Sequence, residues 1–117
     1  MKKILLIEDD VDTIDMVEIM LQGAGYAVIK INRLIDLKEI TVINPNLIII
    51  DFLLPYRLGN ELCAEIKSDP GTKHIPVILY SASSLLRKVA EECRADAYIP
   101  KPFDLDHFLN EVSRLII

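Results

Sequence analysis

Short apolar runs separated by polar punctuation recur along the chain. Residues 4–7 read Ile-Leu-Leu-Ile, 47–50 Leu-Ile-Ile-Ile and 77–80 Val-Ile-Leu-Tyr. Runs this short, with no polar alternation, predict strands covered on both faces, as in the middle of a parallel sheet. Residues 27–31, Ala-Val-Ile-Lys-Ile, predict a more peripheral strand, and 97–99, Ala-Tyr-Ile, a short last one. Between these runs apolar residues recur at helical spacing. Ile14, Val17, Met20 and Leu21 predict a first helix, with Gly23 and Gly25 as stop signals. Leu34, Leu37 and Ile40 predict a second, weaker helix closed by Asn44, Pro45 and Asn46. Leu62, Cys63 and Ile66 predict a third, ended at Ser68, Asp69, Pro70 and Gly71. Leu85, Leu86, Val89 and Ala90 mark a fourth. Leu105, Phe108, Leu109, Val112 and Leu115 mark a fifth, with Asp104 as its N-cap.

Strand and helix thus alternate five times, which predicts an α/β fold: a doubly wound parallel sheet with helices on both faces. No internal repeat or linker interrupts the pattern, so residues 1–117 read as one domain. Composition agrees. Apolar residues make up 51% of the chain, too many for disorder, and a chain this long buries roughly two thirds of its unfolded surface. The formal charge of −5 and the lack of a basic stripe argue against direct nucleic-acid binding. Cys63 and Cys93 form no C-x-x-C pair and read as reduced thiols packed in the core. The apolar run at 4–7 is too short for a signal peptide or a membrane span. The expectation is a cytoplasmic protein that does not enter the membrane.

In open parallel sheets ligands bind beyond the carboxyl ends of the strands, where strand order reverses. Glu8, Asp9 and Asp10 follow the first strand, and the third ends in Asp51. Ser81 and Ala82 follow the fourth, and Lys101 and Pro102 the fifth. Acids, a hydroxyl and a lysine are thereby expected on one sheet edge. Clustered carboxylates repel unless protons or a cation intervene. Magnesium suits such a set, taking one or two carboxylates with waters and a phosphate. A carboxylate can also attack phosphorus to give an acyl phosphate, a transfer that needs positioning and charge neutralisation above all. Lys101 and Mg2+ would supply positive charge, and Ser81 a hydrogen bond to a phosphoryl oxygen. No phosphate loop, dinucleotide fingerprint or nucleophile elbow competes with this reading. His74 and His107 read as solvated surface residues, and Asp10 as the cap of the first helix.

The chain resembles the response-regulator receiver domains of two-component signalling over essentially its whole length. The resemblance rests on Ile4 to Asp10, on Asp51-Phe52-Leu53-Leu54-Pro55 with Gly59, on Tyr80-Ser81-Ala82, and on Lys101-Pro102-Phe103. It implies a flavodoxin-like sheet of five strands in the order 2-1-3-4-5 with five helices. Pro100 fits that order, because proline belongs on an edge strand. By resemblance Asp51 is the phosphoacceptor, Asp9 a direct metal ligand, Glu8 an acid acting through water, and the Leu53 carbonyl the remaining protein ligand. Ser81 would be the hydroxyl that moves toward the phosphoryl group, Lys101 its ionic partner, and Tyr98 the aromatic that repositions on activation. The Lys101–Pro102 peptide is expected to be cis. Arg94 stands where relatives often carry glycine, so positive φ there would be strained.

The implied function is a phosphorylation-dependent switch that accepts its phosphoryl group from a histidine kinase or histidine phosphotransfer protein. It would catalyse only its own phosphorylation and dephosphorylation. Output would pass to a protein partner through the fourth helix, fifth strand and fifth helix, including Leu85, Arg87, Tyr98 and His107, as a monomer or a phosphorylation-dependent homodimer. Two other readings remain. An aspartyl-phosphate phosphohydrolase would want a second acid where Leu53 stands, and a phosphorylation-independent binding module would not need the full set of groups.

Overall fold

The computed structural model describes residues 1–116; Ile117, the last residue of the expected domain, lies outside the described residues. The elements run β1 (Lys3–Ile7), α1 (Val11–Gly23), β2 (Ala27–Ile31), α2 (Leu37–Ile43), β3 (Leu47–Asp51), α3 (Gly59–Ser68), β4 (Val77–Ser81), α4 (Leu86–Glu92), β5 (Ala97–Pro100) and α5 (Leu105–Leu115). All five strands are parallel in the order β2-β1-β3-β4-β5. The predicted class, strand order and helix number are therefore what the chain adopts.

The unbroken apolar strands follow from burial on both faces. Leu5, Ile7, Ile48, Ile50, Val77 and Leu79 point into a core closed by α2, α3 and α4. Their neighbours Ile4, Leu6, Leu47, Ile49, Ile78 and Tyr80 point the other way, into a core closed by α1 and α5. Alternate residues of one strand thus serve two cores. Pro100 lies on the edge strand opposite Ser81, where a missing N–H leaves no gap in the ladder. Cys63 and Cys93 are free and buried, and the Cys63 thiol donates to the Cys93 carbonyl at 3.5 Å.

Helix starts follow their caps. Asp10 accepts from the N–H of Thr13, Asp36 from that of Glu39, and Asp104 from that of His107. Two expected helix members fall outside. Leu34 precedes the Asp36 cap and is exposed, and Leu85 is the residue before α4, also exposed. Their apolar side chains matched the helical spacing; the Asp36 cap sets the start of α2, whereas α4 begins after Leu85 with no side-chain cap.

The ends of α1 and α4 share one geometry. After α1, the N–H of Gly25 bonds to Gln22 and that of Tyr26 to Leu21; after α4, the N–H of Arg94 bonds to Glu91 and that of Ala95 to Ala90. Each is the paired backbone closure that needs a left-handed residue past the helix. Gly25 supplies it with φ +95°, and Arg94 supplies it with φ +64°. The strained alternative raised for Arg94 is the one the backbone takes.

Gly59 is needed for a different reason. It opens α3 directly against the end of β3, its N–H bonded to the Phe52 carbonyl at 2.8 Å. A Cβ there would overlap the carbonyl oxygen of Asp51 and lie 2.8 Å from Cγ2 of Ile50. Glycine lets α3 pack on the strand that carries Asp51.

Candidate functional site

Parallel strands of similar length finish together, so the residues after β1, β3, β4 and β5 meet at one edge. Register sets the detail: Ile7 lies beside Ile50, Asp51 beside Tyr80, and Ser81 beside Pro100. One carboxylate oxygen each from Glu8, Asp9 and Asp51 fall within 4.8 Å of one another. Lys101 Nζ reaches in from the β5 end, 3.1 Å from Glu8 Oε1 and 3.7 Å from Asp51 Oδ2. The Lys101–Pro102 peptide that launches this side chain is cis, as the resemblance implied.

The three acids are not equivalent. Asp9 is exposed, Asp51 is buried at the rim, and Glu8 is wholly enclosed. Asp51 Oδ1 accepts from the N–H of Leu53 at 3.2 Å. Burial and the neighbouring Glu8 charge raise the Asp51 pKa to about 6, against the opposing pull of Lys101. Burial alone would raise Glu8 as well. Hydrogen bonds from Tyr80 and the N–H of Asp10, with the Lys101 charge, outweigh it, and Glu8 lies below its ordinary value. Two adjacent acids with pKa values driven apart divide the labour: Glu8 holds the charge and Asp51 carries the frustration.

That frustration makes the acid set fit a divalent cation. Asp9 faces solvent and can ligate directly, and a cation beside Asp51 would relieve the repulsion that raises its pKa. Asp10 is drawn away from this task. Its carboxylate accepts from the N–H and hydroxyl of Thr13 at 2.9 and 2.6 Å, which lowers its pKa.

Ser81 ends β4 buried, and its Oγ accepts from the N–H of Ser83 at 3.1 Å. Leu53 lies in the loop after β3, bridged to Leu58, with its side chain in solvent. Tyr98 sits on β5 away from the acids and is 39% exposed. His74 and His107 are both exposed.

One contact was not legible in the sequence. Tyr80, which reads there as the last apolar residue of a strand, is fully buried and donates to Glu8 Oε1 at 2.6 Å. Lys101 Nζ rests 4.3 Å from the centre of its ring. A polar-tipped aromatic beside a strand-end serine was the available signal.

Comparison with known proteins points the same way. The family model described as the response regulator receiver domain matches residues 4–113. The DNA-binding dual master transcriptional regulator RpaA of Synechocystis sp. is 34% identical across 99% of this chain and 49% of its own length. The chain spans about half the length of this and several other curated transcriptional regulators that it matches. A putative response regulator from Chloroflexus aurantiacus superposes with a TM-score of 0.88 at 28% identity, covering 98% of this chain and 97% of that one. The receiver domain of sensor histidine kinase PA1611 from Pseudomonas aeruginosa superposes with a TM-score of 0.83 at 25% identity, over 98% and 97% of the two chains. That structure has a magnesium ion coordinated in its active site cleft.

Proposed function

The chain belongs to the response regulator receiver domain family of two-component signalling, and from that premise we propose that it is a switch phosphorylated on Asp51. The observation that carries the proposal is the Asp51 carboxylate at the sheet edge, with Lys101 Nζ 3.7 Å away and Glu8 and Asp9 alongside. In this reading residues 1–117 act as one receiver domain. A histidine kinase or histidine phosphotransfer protein donates the group: an Asp51 oxygen forms the new bond to phosphorus as the nitrogen–phosphorus bond of phosphohistidine breaks. The imidazole nitrogen leaves with the electron pair.

Mg2+ would be held by Asp9, Asp51 and the Leu53 carbonyl, with Glu8 behind them. When bound it supplies charge neutralisation for the transferring phosphoryl group. Lys101 neutralises the same group from the β5 side, and Ser81 Oγ offers it a hydrogen bond. Phosphorylation then favours whichever conformer contacts the new charge best. The output face is α4, β5 and α5, where a groove of about 450 Å³ is lined by Tyr98, His107 and Arg114 among others. A protein partner docks there, or a second copy does in a phosphorylation-dependent homodimer.

The chain acts in the cytoplasm on this reading; no helix among the described residues is long and apolar enough to cross a membrane. It turns over only its own aspartyl phosphate. Phosphohydrolase action on small substrates is disfavoured because Leu53 offers no acid to a leaving group.

Intact-mass spectrometry after incubation with acetyl phosphate tests the proposal. The wild type should gain one phosphoryl group only with Mg2+, and Asp51→Asn should gain none. An adduct that persists in Asp51→Asn would sink the assignment of the acceptor.

A further inference from the structure

Glu8 is surrounded by donors. Oε1 accepts from the Tyr80 hydroxyl at 2.6 Å and Lys101 Nζ at 3.1 Å; Oε2 accepts from the N–H groups of Asp9 and Asp10 at 3.0 and 3.2 Å. A carboxylate offers about four lone-pair sites, so this buried group is satisfied while Lys101 stays. Lys101 is also the cation that a phosphorylated Asp51 would draw. Its flexible stem and point charge can shift from Glu8 to a phosphoryl oxygen, but a buried carboxylate stripped of its cation opposes that move.

Tyr80 touches both ends of the problem. Its hydroxyl makes the shortest bond to Glu8, and its ring lies under the Lys101 ammonium at 4.3 Å. The ring is held in turn against Phe103, which stacks on Phe108 at 4.8 Å between centroids. Packing alone would be met by phenylalanine, and a buried hydroxyl is costly without a partner. Here the partner is the acid that shares Lys101 with Asp51.

We propose that Tyr80 is a positioning residue for phosphoryl transfer to Asp51: its hydroxyl holds the Glu8 carboxylate when Lys101 leaves it for the phosphoryl group. The ring face gives the ammonium a contact that does not depend on Glu8, so Lys101 can turn while staying in the site. This rests on Asp51 being the acceptor. With acetyl phosphate as donor, an ionised Asp51 oxygen bonds to phosphorus, the acetyl oxygen–phosphorus bond breaks, and acetate leaves with the electron pair.

The test is the rate of Asp51 labelling by acetyl phosphate at saturating Mg2+, in wild type, Tyr80→Phe, Glu8→Gln and the double variant. Tyr80→Phe should lower the maximal rate about ten-fold, equivalent to ~1.4 kcal/mol, without changing the donor concentration for half-maximal rate. In the Glu8→Gln background the same substitution should have no effect. An equal loss in both backgrounds, or a Tyr80→Phe rate equal to wild type, overturns the proposal.

A measurement on the wild type stands beside it should Tyr80→Phe fold poorly. The Tyr80 hydroxyl proton, read by NMR, should move downfield when Mg2+ and fluoroberyllate draw Lys101 off Oε1; an unmoved resonance also overturns it. A wild type that takes no phosphoryl group overturns the Asp51 reading and this one with it. A labelled wild type with an insensitive Tyr80→Phe overturns Tyr80 alone.

Discussion

Asp51 shows how much one residue's surroundings decide. Its pKa of about 6, against an ordinary 3.8, means that burial and the Glu8 charge resist ionisation more than Lys101 assists it. The native state therefore binds the proton more tightly than the unfolded chain. Its contribution to stability is complete below about pH 4 and is lost as pH rises through about 6. Asp51→Asn removes that loss, so the variant should be more stable than wild type at pH 7.5 by on the order of 2 kcal/mol in the presence of a chelator. The advantage should shrink as pH falls from about 6 toward 4. Thermal unfolding at several pH values reads this directly; a gain independent of pH would assign it to something other than ionisation. Glu8, with its lowered pKa, has the opposite sign. Its contribution is present above the ordinary glutamate value and is lost as pH falls through the folded one. The place of Asp51 at the end of an apolar run was plain in the sequence. The unequal fates of Glu8 and Asp51 were not, because both are acids beside a strand end.

The two matched helix ends make an internal experiment at the scale of the element. Gly25 takes positive φ without steric cost, whereas Arg94 sets a Cβ against the following carbonyl. That conformation costs an L-residue roughly 1–2 kcal/mol, and glycine gives back about half of this through its greater freedom when unfolded. Arg94→Gly should accordingly stabilise the protein by about 0.5–1 kcal/mol, even though it deletes the exposed bond from the Arg94 guanidinium to Ser68 Oγ at 2.9 Å. Arg94→Ala should show no such gain, and equal effects of the two would locate the change in the lost side chain. Denaturant unfolding distinguishes them. The resemblance singled out Arg94, which stands where relatives often carry glycine, while the apolar spacing of α4 runs on to Cys93. Whether Arg94 itself takes positive φ was not legible in the sequence, because that depends on the backbone closure that the folded helix end makes.

At the scale of the whole molecule, the strand order links the acid site to a distant surface. Ser81 ends β4 and Lys101 directly follows β5, and β5 carries Tyr98 to the face it shares with α4 and α5. On the proposed function, a phosphoryl group on Asp51 would pull on Ser81 and Lys101, and so on the two strands nearest that face. Fluoroberyllate with Mg2+ should move the backbone NMR resonances of Arg87, Tyr98 and His107, and Tyr98→Ala should weaken that response while Asp51 is still labelled by acetyl phosphate. Shifts confined to the loops around Glu8, Asp51 and Lys101 would mean that the face takes no part in switching.

Local pattern was enough for the alternation of five strands and helices, the class of the sheet, and the placing of Glu8, Asp9, Asp51, Ser81 and Lys101 at strand ends. Periodicity and capping act over a few residues, so a linear reading reaches them. Only the tertiary structure decided which groups pair. The Tyr80 hydroxyl meets a carboxylate 72 positions away in the chain, and Lys101 meets the same oxygen across 93. Hydrogen bonds and charge interactions depend on ångström distances, which strand register and side-chain packing set after the chain has closed on itself.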